Sequence, residues 1–137
     1  MVRKILFFLL FPGVIFITDI KSQPKVKTGL EVLISDDYKV LHGKRVGLIT
    51  NQTGVDSKLR SAIDILYEAP QVNLVALFGP EHGVRGDYSA GEHVGFYTDK
   101  KTGLPVYSLY GKTRKPTSEM LEDIDVLVYD IQDIGCR

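Results

Sequence analysis

Short unbroken apolar runs alternate along this chain with segments whose apolar residues recur every three or four positions. Residues 45–50 and 72–78, the latter apolar except for Asn73, are too short for buried helices and rich in β-branched side chains. They read as buried strands. A weaker run at 104–109 and a strong one at 125–130 predict two more. Between the first pair, Leu59, Ala62, Ile63, Leu66 and Tyr67 define one apolar helical face, with Asp56 or Ser57 as its cap and Pro70 as its stop. Residues 29–35 form a short amphipathic helix, and Pro116 with Thr117 or Ser118 as cap begins another. Strand, helix and strand within about thirty residues make one βαβ unit. The fold class is therefore α/β, a mostly parallel sheet with helices on both faces. Residues 79–103 carry no period, and a long ordered excursion at a strand end is usually functional. No helix follows the strand at 125–130, which predicts a domain cut short at its carboxyl end.

The first residues follow a different pattern. Arg3 and Lys4 precede an apolar stretch from 5 to 17 that only Pro12 and Gly13 interrupt, and polar residues follow. That stretch is short for a membrane span and suits an export signal at 1–22, cleaved between Ser22 and Gln23. The expected location is the periplasm or beyond, with no stable membrane anchor. The alternative is a retained anchor. Lys+Arg and Asp+Glu both number 17, and no basic block interleaves with aromatics, which argues against nucleic acid as a partner. The single cysteine, Cys136, cannot form an internal disulfide, so the core alone must hold residues 23–137 together.

In a parallel sheet the strand ends converge on one rim, where ligands of open α/β folds bind. Asn51, Gln52 and Thr53 follow the first strand, Glu81 and His82 the second, and Asp130, Gln132 and Asp133 the last, with Arg85 and Arg137 nearby. Such a set suits a polyhydroxylated or acidic small ligand. Glu81 follows Gly79 and Pro80 at once. A carboxyl among Phe78, Pro80 and a partly closed loop is shielded from water, the setting in which it can deliver a proton to a glycosidic oxygen. It can equally serve only to tie down the turn. His82 can orient Glu81, bind substrate or satisfy the loop. Asp130 and Asp133 are candidates for a second carboxylate, although Asp133 can instead pair with Arg137. Glu81, His82, Glu92 and His93 lack the spacing of metal ligands, so no metal is expected. No G-x-G-x-x-G, P-loop or G-x-S-x-G is present, so no nucleotide cofactor or serine nucleophile is expected.

Four ordered blocks carry a resemblance: residues 47–54, 77–86, 102–111 and 125–137. In these the chain resembles the NamZ-type exo-β-N-acetylmuramidases. The resemblance implies a hydrolase that removes N-acetylmuramic acid from the non-reducing end of peptidoglycan fragments. It also implies a Rossmann-like domain carrying the catalytic centre, and a second domain that this chain lacks. Glu81 then corresponds to the family's catalytic carboxylate, with His82, Asn51 and the segment from Asp130 to Arg137 as substrate contacts. Arg85 is a candidate partner for the lactyl carboxylate of muramic acid. The alternative is a non-catalytic module that binds cell-wall sugar, or an inactive fragment.

Overall fold

A computed structural model describes residues 26–89, 91–92 and 94–132. The proposed export signal, His93, Asp133, Cys136 and Arg137 lie outside the described residues. The elements are α1 (Gly29–Ser35), a 3₁₀ turn (Lys39–Leu41), β1 (Arg45–Thr50), α2 (Ala62–Glu68), β2 (Asn73–Gly79), β3 (Tyr97–Thr98), β4 (Pro105–Ser108), α3 (Ser118–Leu121) and β5 (Val126–Asp130). They build one sheet in the order β3-β4-β2-β1-β5, parallel throughout except for β3, which runs antiparallel to β4.

The central strand explains its own sequence. β1 pairs with β2 on one edge and β5 on the other, so no edge and neither face meets water, and its residues are apolar without alternation. Val46 and Leu48 pack with Leu30 of α1, Leu41 and the α2 residues Ala62, Ile63 and Leu66. Val126 and Val128 of β5 join that layer. On the opposite face, Gly47 lies under the segment that follows α3. A Cβ there would stand 2.8 Å from side-chain atoms of both Ile124 and Leu127. α1 and α2 thus cover one face, and the segment from α3 to Ile124 lies on the other.

Caps and pairs set the ends. Thr28 accepts the amide of Glu31, whose carboxylate accepts the amide of Thr28, a capping box that starts α1. Arg45 at the foot of β1 binds Asp125 through Nε and Nη2 and Asp123 through Nη1 at 2.7 Å, aligning β5 from below. The start of α2 departs from expectation. Its cap is Ser61, which accepts the amide of Ile63. Asp56 instead closes the preceding loop, accepting the amides of Lys58 and Arg60 at 2.9 Å each, while Leu59 sits in left-handed backbone, 81% exposed. Tyr67 is also largely exposed, so the apolar face is carried by Ala62, Ile63, Ile65 and Leu66. Among the described residues no helix is long and apolar enough to cross a membrane.

Gly47→Ala should destabilise the fold by about 2 kcal/mol, since neither Ile124 nor Leu127 can retreat without opening the layer above β1. Urea denaturation of the two proteins checks this. Equal midpoints would mean that the contact yields freely.

Candidate active site

Taken in chain order, the four parallel strands lie 3-2-1-4 across the sheet. The connection after β1 leaves toward β2, whereas the chain returns over the sheet to place β5 on the other side. The loops beyond β1 and β5 therefore diverge, and the crevice between them is the topological switch point where open α/β sheets bind ligands.

Short polar side chains stitch that crevice together. Thr50, fully buried, donates its hydroxyl to the carbonyl of Asp130 at 2.8 Å. Asn51 folds onto its own turn, its Oδ1 accepting the amide of Thr53 at 3.0 Å and the hydroxyl of Thr53 at 2.6 Å. The same hydroxyl accepts the amide of Gln132 at 3.0 Å. Gly54 has no room for a side chain, because a Cβ would collide with Thr50 Oγ1 and approach the Asp130 carbonyl at 2.9 Å. Asp130 lies half-buried at the end of β5. Its Oδ2 is buried with no hydrogen-bond partner among the described residues, and burial pushes its carboxyl above the ordinary range.

The turn after β2 is built as tightly. Glu81 is half-buried, and its Oε1 accepts the amide of Gly91 at 3.2 Å across the excursion. His82 and Gly83 both take left-handed backbone, with φ of 72° each. That conformation strains a histidine and suits a glycine, and strained backbone of this kind concentrates at functional sites. The Nδ1 of His82 lies 3.0 Å from the carbonyl of Tyr88. Because a carbonyl only accepts, Nδ1 is the donor in this contact. Gly83 packs so closely on Tyr88 and Tyr97 that a Cβ would fall 2.9 Å from each. The hydroxyl of Tyr97 accepts the amide of Val84 at 3.3 Å, and burial raises the phenol above its usual value.

Arg85 is held by two carboxylates. Its Nε and Nη2 bind the two carboxylate oxygens of Asp99 at 2.6 and 2.9 Å, and Nη2 also reaches Asp64 of α2 at 3.0 Å. Asp64 holds Lys101 as well, at 2.6 Å. The guanidinium braces the excursion against α2. Hydrogen bonding from Arg85, assisted by Thr102 and opposed by burial, holds the Asp99 carboxyl down at about 2.

Of the residues singled out in the sequence, Asn51, Asp130 and Gln132 meet at the crevice. Gln52 lies over Gly86, where a Cβ would be 3.3 Å from its side chain, and so joins the β1 end to the Glu81 turn. Arg85 stands beneath that turn. Sequence reasoning missed Thr50, Asp64, Tyr97 and Asp99. The Asp-x-x-Thr-Gly turn at 99–103 was the one local sign of a structured loop. Among the described residues no three His, Cys, Asp or Glu side chains are grouped to hold a metal ion.

These features define a Rossmann-type α/β domain whose polar chemistry lies at the carboxyl ends of its strands. Residues 46–137 match the family model described as exo-β-N-acetylmuramidase NamZ, N-terminal, and the chain belongs to that family. It is 62% identical over 116 residues to the peptidoglycan β-N-acetylmuramidase NamZ of Bacillus subtilis (strain 168), covering 85% of this chain and 28% of that protein. Two crystal structures of DUF1343 family proteins from Bacteroides fragilis NCTC 9343 share the fold. One has a TM-score of 0.73 and 71% identity, covering 83% of this chain and 28% of its own. The other has a TM-score of 0.63 and 35% identity, covering 82% and 27%. The chain thus spans about 28% of the length of the curated relative it matches.

Asp99 and Asp130 should shift stability with pH in opposite directions. Asp99 has a depressed folded value, so its contribution is complete above the unfolded value of 3.8 and is lost as pH falls through about 2. Asp99→Asn should cost about 3 kcal/mol at neutral pH by leaving Arg85 unbalanced, and the difference should shrink between pH 3.8 and 2. Asp130 has a raised folded value, so its ionisation opposes folding above 3.8 and stops doing so below it. Asp130→Asn should gain roughly 1 kcal/mol at neutral pH, the order of an unpaired buried polar atom, and nothing in strong acid. Thermal melts across this pH range check both signs.

Proposed function

We propose that the complete protein is a glycoside hydrolase that releases N-acetylmuramic acid from the non-reducing end of peptidoglycan fragments, with Glu81 as its acid/base. The observation that carries this reading is the placement of Glu81. Its carboxylate stands one residue past the Gly-Pro that ends β2, on a turn locked by His82, Gly83, Tyr97 and Arg85. One oxygen accepts the Gly91 amide, and Oε2 has no hydrogen-bond partner among the described residues. Membership of the family and the activity for which the Bacillus relative is named support the same reading.

Glu81, protonated, donates to the glycosidic oxygen as the bond to the anomeric carbon breaks, and the departing sugar leaves as an alcohol. As a carboxylate it then takes a proton from the water that attacks the anomeric carbon. His82, next to Glu81 on the same turn, helps to orient substrate. Asn51, Gln52, Asp130 and Gln132 supply sugar contacts at the crevice; Asp133 and Arg137 are assigned as further substrate contacts from the sequence alone. Asp130, or the acetamido group of the substrate itself, assists at the anomeric carbon. No cofactor is assigned. A substrate outside the cytoplasm agrees with residues 1–22 acting as an export signal. The span of 28% favours a second reading for these 137 residues in isolation, a module that binds wall sugar without cleaving it.

Glu81→Gln in the complete protein should lower turnover of a chromogenic muramide by about a hundred- to ten-thousandfold while leaving the melting temperature near that of the parent. Near-native turnover by the variant would remove Glu81 from the reaction.

A further inference from the structure

A second cavity opens beside the carboxyl end of β4, outside the crevice between β1 and β5. It measures about 290 Å³ and is walled by Phe96, Tyr107, Tyr110, Lys112 and Met120. That is the lower end of the size range of small-ligand sites, enough for one sugar ring. Its position ties it to the Glu81 turn. Ser108 is the register partner of Gly79, and the amide of Leu109 donates to the Gly79 carbonyl at 2.7 Å, two residues before Glu81.

Three rings run from the core to the surface at this point. Phe78, fully buried, stacks on Tyr107 with centroids 5.3 Å apart, and Tyr107 meets Phe96 at 5.4 Å. Phe96 is nevertheless 67% exposed, a large apolar ring held at the cavity mouth by a ladder rooted in β2. The hydroxyls of Tyr107 and Tyr110 have no hydrogen-bond partner among the described residues. Lys112, exposed at the same wall, forms no ion pair among them. Arg85, a cation of the excursion, is occupied by Asp99 and Asp64.

We propose that this cavity is a subsite for a carboxylated amino sugar, with Phe96 and Tyr107 taking the apolar face of the ring and Lys112 its carboxylate. Aromatic faces bind the C–H face of a pyranose by contact and dispersion, and a cation without a counter-ion supplies preference for an acidic ring over a neutral one. The two phenol hydroxyls are placed to meet sugar hydroxyls. The proposal rests on the hydrolase reading for its substrate class and replaces Arg85 with Lys112 as the group that recognises the acid.

The test is calorimetric titration of the complete protein with N-acetylmuramic acid and with N-acetylglucosamine, the neutral sugar lacking the lactyl acid. The parent should bind the acidic sugar about tenfold more tightly. Lys112→Met should abolish that preference, Lys112→Arg should retain it, and Phe96→Ala should weaken both sugars alike. Indifference of the parent to the acid, or full preference in Lys112→Met, would overturn the proposal. Binding is read without turnover, so the two readings fail separately. An active Glu81→Gln would end the assigned catalysis and leave the subsite standing, whereas full preference in Lys112→Met would end the subsite and leave the assignment of Glu81 standing.

Discussion

A strand with a ladder on each edge and a layer on each face cannot adapt, and β1 is that strand. Its neighbours take their register from it, and the close approach of Ile124 and Leu127 is possible only because residue 47 lacks a side chain. From this constraint follows the position of everything at the rim. Fixing β1 between β2 and β5 brings the ends of three strands within reach of one another, and Thr50, Thr53 and Gln132 then tie two of them directly. The crevice is thus a product of sheet topology, refined by the hydroxyls of Thr50 and Thr53.

The Glu81 turn obeys a different logic. It holds its shape through contacts made six to twenty-one residues away, chiefly Arg85 with Asp99 and Asp64. A buried, bidentate ion pair is costly to assemble and costly to break, and it fixes geometry more surely than it adds net stability. Here it spans the gap between a loop and α2, so the excursion behaves as part of the helix layer. The strain at His82 is sustained by this surrounding framework.

Much of the architecture was legible because burial writes simple patterns. β1 occupies residues 45–50, as its unbroken apolar run predicts, β2 is shifted by one residue at both ends, and β5 starts one residue late. What was not legible depends on partners distant in sequence. β3 is two residues long and exists only because β4 lies beside it, so Tyr97 and Thr98 carry no period to detect. Asp56 looked like a cap because it precedes an apolar face, but its carboxylate is satisfied by its own loop before the helix begins. An arginine four residues beyond Glu81 suggested a ligand contact, and nothing local announced that Asp99 would claim it. At the rim, residue types indicated the chemistry, whereas the choice among available cations needed three-dimensional pairing.

Tyr97 belongs to the outermost and shortest strand of the sheet, yet its phenol oxygen braces the Val84 amide three residues past Glu81. Any fraying of that margin would therefore be transmitted inward. The amide of Val84 would lose its shield from deuterium together with β3, although it lies in the middle of the protein. The rigidity of the loop bearing Glu81 is thus only as durable as the two residues that border the sheet.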